Sequence, residues 1–246
     1  MNFFLKYFFA FFLFLNQLFA QHLASIDLQI MNHEFENSKL KLEKLYNNSP
    51  KDIEVLTRLS IVHHFISEKE IKKSIERENA NKAFEFIQTA YSIDPENPQV
   101  LKWYVIALGK TVENQSIRNQ IEESKNIEKI ALKVIEILPN DEYCYNILGQ
   151  WHYRLASLRG PSRRIASILF AEPPVGSFDQ AKFFLERSLE INPNYIGTYY
   201  WLGKTYIELN NIEKAIDLFQ KGIILDRPFK REEEIYKKMV RMIKDS

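Results

Sequence analysis

What this sequence has little of narrows its class. A single cysteine, Cys144, leaves no internal disulfide to form, so stability has to come from packing. Seven glycines and nine prolines in 246 residues are too few for a disordered chain or a turn-rich β fold. Valine and threonine are sparse beside leucine, isoleucine, lysine, glutamate and asparagine, which disfavours sheet. The net charge is only +1, so no overall field draws the chain to nucleic acid. There is no glycine-rich phosphate loop, no nucleophile elbow, no HExxH and no two-Cys-two-His pattern. The five histidines are His22, His33, His63, His64 and His152. His63 and His64 are adjacent, so on a helix they point about 100° apart and cannot share one metal. These absences point to a non-enzymatic protein with no cofactor and no metal.

One apolar run stands out. Tyr7 to Leu15 is nine consecutive apolar residues behind the basic Lys6, and Leu18-Phe19-Ala20 then leads to Gln21. This pattern reads as a secretory signal over residues 1–20, cut after Ala20, although Leu18 is larger than the small residue usual three before a cut. The alternative is an uncleaved N-terminal anchor, for which the run is short against the roughly 20 residues of a membrane span. Loss of Lys6 takes 33 basic residues to 32, against 32 acidic ones, a neutral mature chain. The expected location is therefore periplasmic or secreted, with membrane anchoring as the alternative.

From residue 21 onward apolar residues recur at three and four, as in Phe84, Ile87, Tyr91 and in Ile212, Ile216, Phe219, Ile223. Proline marks successive exits at Pro50, Pro95, Pro139, Pro193 and Pro228, with spacings of 45, 44, 54 and 35 residues. Only the last is close to the roughly 34-residue tetratricopeptide period. Within it fall Tyr199, Leu202, Gly203, Tyr206, Ala215, Phe219 and Gly222, and the preceding unit repeats the scheme with Tyr145, Leu148, Gly149, His152, Ala181, Leu185 and Ser188. An earlier copy has Leu59, Ser60, His63, Ala83, Ile87 and Ala90. The pattern predicts an all-α, right-handed superhelix of about five helix pairs over residues 22–50, 53–95, 100–139, 142–193 and 196–228. A capping helix is expected over 231–245, striped by Ile235, Met239 and Met242. Glycine inside a helix costs about 0.5–1 kcal/mol relative to alanine. Gly149 and Gly203 are therefore expected where paired helices approach closely, with Ala181 and Ala215 as the facing small residues.

The fourth unit carries an insertion. Gly160-Pro161 breaks a helix, Ile165, Ile168 and Leu169 give a short amphipathic one, Pro173-Pro174 ends it, and Ser177 to Gln180 reads as a capping box. Leu148-Gly149-Gln150-Trp151-His152-Tyr153, then Ala156, Arg164, Ile165, Ala166, Leu169, Phe170 and Pro173-Pro174, resembles the regulator of microtubule dynamics family. That family has a similar Leu-Gly-Arg-Trp-Cys-Tyr segment and an inserted helix before a Pro-Pro. Lys102-Trp103-Tyr104 is similar to its upstream Lys-Trp-Tyr. The resemblance covers about residues 50–228. It implies a tetratricopeptide-type domain that acts by binding and has no catalytic motif to carry over. Eukaryotic members are associated with microtubules and organelle surfaces. This chain departs from them in its export signal, so that partner does not transfer.

Two surfaces are candidates for a partner. Repeat geometry puts Asn146, Gln150 and Arg154, with Tyr200 and Lys204, on the concave wall, where such donors suit the carboxylates of a peptide or protein segment. An ordinary solvated face is the competing reading. The insertion offers Arg159, Arg163 and Arg164 without an acid until Glu172, which suits an acidic partner or peripheral contact with anionic lipid headgroups. The competing reading there is internal pairing, for example with Glu172. The oligomeric state has no signature in the sequence.

Overall fold

The computed structural model describes residues 2–113, 115–169 and 175–245, with side chains from residue 17 onward. Among them are twelve α-helices and no strand. In chain order these are α1 (Asn2–Met31), α2 (Phe35–Asn48), α3 (Ile53–Lys69), α4 (Lys73–Ile93), α5 (Pro98–Val112) and α6 (Ile117–Ile137). They continue as α7 (Glu142–Ala156), α8 (Gly160–Leu169), α9 (Phe178–Ile191), α10 (Ile196–Glu208), α11 (Ile212–Gly222) and α12 (Lys230–Lys244). No helix of the described residues is long and apolar enough to cross a membrane.

Local chemistry sets the helix starts. Asp52, Asn97, Ser116, Asp141, Ser177 and Asn211 each sit at an N-cap and accept from a backbone N–H of the first turn, worth about 1 kcal/mol apiece. The Ser177 box is half made: Ser177 Oγ accepts from the Gln180 N–H at 3.1 Å. At the other ends the backbone leaves the helix just before Pro50, Pro95, Pro139 and Pro193.

The helices pack in consecutive pairs: α1 with α2, α3 with α4, α5 with α6, α7 with α9, and α10 with α11. The first helices of neighbouring pairs also touch, α3 with α5, α5 with α7 and α7 with α10, and together form the inner wall. Helix α8 is inserted between α7 and α9 and rests on α6. Its Ala166 is buried. Phe170, Glu172 and Pro173-Pro174 lie outside the described residues.

Three apolar clusters run through the stack. Leu23, Ile26, Ile30, Leu42 and Val62 join α1–α3. Leu56, Ile87, Leu101, Val134 and Leu148 join α3–α7. Leu185, Leu202, Phe219 and Met239 join α9–α12. The two repeat glycines sit where pairs interlock. A Cβ on Gly149 would lie 2.4 Å from Leu185 Cγ and 3.2 Å from the Ala181 carbonyl oxygen. A Cβ on Gly203 would lie 2.3 Å from the Phe219 ring. The close approach is as expected, but the facing group differs: at Gly203 it is the Phe219 ring rather than Ala215, because a large ring fills the gap that two small residues would leave. Helix α12 caps the last pair and also reaches α3 of the second, and Phe229 at its N-cap stacks on His33 beside the first, so the two ends of the stack meet across the concave face.

Candidate functional site

The concave face is divided by a row of charges. Arg231, in the first turn of α12, donates from both guanidinium nitrogens to Glu113 at 2.9 Å each and lies 3.4 Å from Glu68. Glu113, the residue that caps the C-terminus of α5, also accepts from Arg154 at 3.0 Å. Glu68 pairs with Lys110 at 2.6 Å, and Lys110 donates to Glu76 at 3.2 Å. A cation in a first turn opposes the helix dipole, so the place of Arg231 is set by the two carboxylates and not by its own helix. Burial pushes Glu113 up, but the charge of Arg231 and then of Arg154 outweighs it and holds the carboxyl at about 2. Burial likewise opposes ionisation of Glu68, and Arg231 and Lys110 reverse it, leaving Glu68 below the usual carboxylate range.

Two cavities flank this row, of about 360 and 350 Å³, and both are lined by Glu68, Lys110, Glu113, Arg154 and Arg231. The first is largely apolar, with Ile106, Ile121, Ile147 and Trp151 in its wall, and Leu158 and Ser162 from the insertion beside them. His64 lines it too. Burial lowers the His64 imidazole to about 4, so the ring is neutral, and its Nδ1 is enclosed without a hydrogen-bond partner among the described residues. Tyr195, on the same wall, is pushed by burial up to about 12. The second cavity is a polar vestibule between α4, α10 and α12, lined by Tyr200, Trp201, Glu234 and Lys238 among others.

Of the residues expected on the concave wall, Asn146, Gln150 and Arg154 line the first cavity and Arg154 and Tyr200 the second, while Lys204 lies behind the rings of Tyr200 and Trp201 and lines neither. Asn146 is buried and tied: its Nδ2 donates to Thr198 Oγ1 at 3.0 Å and its Oδ1 accepts from Gln150 at 2.6 Å. It joins α7 to α10 and has little left to offer a ligand. Gln150 continues the chain to Arg154, at 3.4 Å. The Arg154 guanidinium lies 5.3 Å from the centre of the Trp201 ring. Lys204 sits among three rings, with Nζ 4.6 Å from the centre of Tyr153, 4.8 Å from Trp201 and 5.5 Å from Tyr200. It makes no ion pair among the described residues. Burial, and then the positive charge of Arg154, lower its ammonium below the usual lysine range. Lys238 approaches the Tyr200 ring from α12 at 5.8 Å. Arg154, Lys204 and Lys238 thus surround an aromatic platform at the vestibule.

The insertion's arginines lie elsewhere. The Arg159 side chain is 83% accessible and lies 3.8 Å from Glu208. Arg163 and Arg164 are exposed and make no ion pair among the described residues; Glu172, a possible partner, is outside them. Ile168 on the same helix is 81% exposed. His152 stacks on Phe184 at 5.4 Å, in the packing place its repeat position predicts. No group of three or more His, Cys, Asp or Glu among the described residues is placed to hold a metal.

Sequence reasoning missed Glu68, Glu113 and Arg231. Each reads as an ordinary surface charge at a helix end, and their meeting joins positions 118 and 163 residues apart. The one local hint is an arginine placed before the acids of α12, against the helix dipole.

The family described as Regulator of microtubule dynamics protein 1-3 matches residues 22–246. Regulator of microtubule dynamics protein 1 of Bos taurus is 30% identical over 203 residues, covering 78% of this chain and 62% of its own length. The Mus musculus protein is 30% identical over 182 residues, covering 70% and 59%. The chain therefore spans about three fifths of the length of these relatives. Among solved structures, a point mutant of MamA superposes with a TM-score of 0.50 at 16% identity, covering 84% of this chain and 96% of that one. The MamA segment from residue 41 to its end, from Desulfovibrio magneticus RS-1, also gives 0.50, at 12% identity, covering 81% and 90%. At such identities the likeness is one of fold alone: a tetratricopeptide-like stack of helix pairs. Glycine-punctuated pairs, an inserted helix between the two helices of the fourth and a family match over residues 22–246 converge: this chain belongs to the regulator of microtubule dynamics family.

Proposed function

We propose that this chain is a non-enzymatic scaffold that captures an acidic segment of a peptide or protein at the vestibule of its concave face. The observation that carries the reading is Lys204: a half-desolvated ammonium over three aromatic rings, near Glu208 but in no ion pair among the described residues, and with Arg154 and Lys238 close by. Such a group gains from an incoming carboxylate, since charge-assisted hydrogen bonds strengthen as water is excluded. The helical-repeat fold supports an interaction role, because stacked pairs expose one long inner wall. Asn146 is unsuited to testing this, since replacing it would cut the α7–α10 tie. Selection of random peptides on the purified chain should enrich Asp- and Glu-rich sequences. Lys204→Glu should then weaken the selected peptide by about tenfold or more, about 1.4 kcal/mol, with an unchanged melting temperature. Selection with no acidic enrichment removes the reading.

A second reading rests on α8. Arg163 and Arg164 are exposed and unpaired among the described residues beside an exposed Ile168, a combination that suits anionic lipid headgroups. Flotation with anionic vesicles should be lost when Arg159, Arg163 and Arg164 are replaced by Gln; charge-independent flotation contradicts it.

Export is part of the same proposal. Among the described side chains of α1 the buried ones are Leu23, Ile26 and Ile30, which a cut after Ala20 retains, while the partly buried Phe19 is lost. The family match begins just beyond that point. The mass of the mature protein decides between cleavage and a retained anchor.

A further inference from the structure

The turn that opens α12 makes contacts its own repeat does not need. The body of α12 packs through Ile235 and Met239 into the last apolar cluster. The residues Phe229, Lys230 and Arg231 instead reach across the concave face. The Phe229 ring stacks on His33 at 5.3 Å and 18°, on Phe65 at 5.6 Å and 17°, and lies 6.2 Å from Phe35. Lys230 Nζ donates to the Ile71 carbonyl at 3.1 Å. Arg231 grips Glu113 with both arms and approaches Glu68. An aromatic ring, a base and an arginine are thus each read by a separate feature of the inner wall.

The receptor for these three side chains stands without them. Phe35 and Phe65 stack on each other at 5.3 Å, a contact that does not need the Phe229 ring. Glu68 keeps Lys110 and Glu113 keeps Arg154 if Arg231 leaves, so neither acid is stranded as a bare buried charge. The occupant is tethered by the non-helical stretch 224–229, and tethering raises its effective concentration to the millimolar range. Such an occupant excludes weak competitors and yields to a strong or multivalent one.

We propose that the Phe229–Lys230–Arg231 turn is an intramolecular ligand of the concave face, and that the surface beneath it is an interaction site. The partner it fits is a protein segment of the same chemistry, an aromatic residue followed by a base and an arginine at a helix start. This site borders the same vestibule as the acidic-segment reading but does not rest on it, because its two recognition charges are carboxylates and its partner is basic.

The test uses a fluorescein-labelled peptide carrying this chain's own residues 226–238. Its anisotropy is followed against the full-length chain and against a Phe229→Ser/Arg231→Gln variant whose internal ligand is disarmed. The peptide should bind the variant about tenfold or more tightly than the wild type, by removal of the tethered competitor. A peptide with Arg231→Gln should not bind. Lys204→Glu in the receptor should leave this binding unchanged while removing that of acidic peptides, so the two readings fail separately. Hydrogen exchange on the wild type gives a second measurement should the variant not fold: saturating peptide should speed exchange of the amides of residues 229–233. Equal binding to wild type and variant, binding that ignores the peptide's arginine, or unaltered exchange at 229–233 overturns the proposal.

Discussion

Two Leu-Gly pairs on the inner wall have opposite surroundings. Leu202-Gly203 lies in α10, where a Cβ on the glycine would strike the Phe219 ring at 2.3 Å. Leu108-Gly109 lies in α5, where a Cβ would meet nothing within 4 Å, because Gly109 faces the apolar cavity. Gly203 is the eighth residue of its helix and Gly109 the twelfth, so the dipeptide turns to a different neighbour. The lesson is that a helical glycine marks a close approach only where a partner helix fills the gap. Around Gly203 the stack is interlocked; around Gly109 it has been left hollow.

The sharpest test of this contrast is one substitution made twice. Gly203→Ala should cost about 3 kcal/mol, since the enclosed Phe219 ring has to move, and thermal unfolding should show it as a large drop in Tm. An undiminished Tm there would mean the interlock is misassigned. Next in size is the charge row that divides the hollow. Glu113→Gln leaves Arg231 and Arg154 without their shared anion; because this pair is 25–31% accessible, the loss should be about 2 kcal/mol, below the range for a fully buried pair. Chemical denaturation would measure it.

The same region should impose a pH dependence that the interlocked one lacks. His64 titrates at about 4 in the folded chain against 6.5 in the unfolded, so the unfolded state binds more protons in between. Its contribution is complete above pH 6.5 and is lost as pH falls to about 4. Glu113, at about 2 against 4.5, adds a second loss between pH 4.5 and 2. Urea midpoints across pH 7 to 3 should fall in that order, and His64→Leu should shrink the upper step, to which the buried His63 and the half-buried His152 also contribute, and leave the lower one. The smallest effect should carry the opposite sign. Gly109→Ala should add about 0.5–1 kcal/mol, by restricting the unfolded chain at a site with room for the methyl group. A loss at Gly109 would show that a neighbouring side chain closes on this wall of the cavity.

Much of the fold was legible because it is written in short-range patterns. The three-and-four spacing, the N-caps and the prolines each act within one turn, and they mark an all-helical chain of paired elements. The inserted helix could be placed for the same reason, since Gly160-Pro161 and Ile165, Ile168 and Leu169 are local signals. The wall carrying Gln150, Arg154, Tyr200 and Lys204 followed from repeat geometry. What each residue does there did not follow: Asn146 is consumed by Thr198, while Lys204 is caged by rings from two helices. Arg231 had no local signature tying it to Glu68 and Glu113.

The sequence by itself determined that this chain is a stack of amphipathic helix pairs, because helix periodicity and termination are fixed by neighbours within a few residues. Only the tertiary structure decided that the stack closes on itself, that a row of charges divides its inner face, and that one glycine is packed solid while another borders a void. The closure and the charge row depend on side chains brought together from more than a hundred residues apart, and the packing at Gly203 on a ring of the next helix; there Coulomb attraction and steric fit act through space and leave no period along the chain.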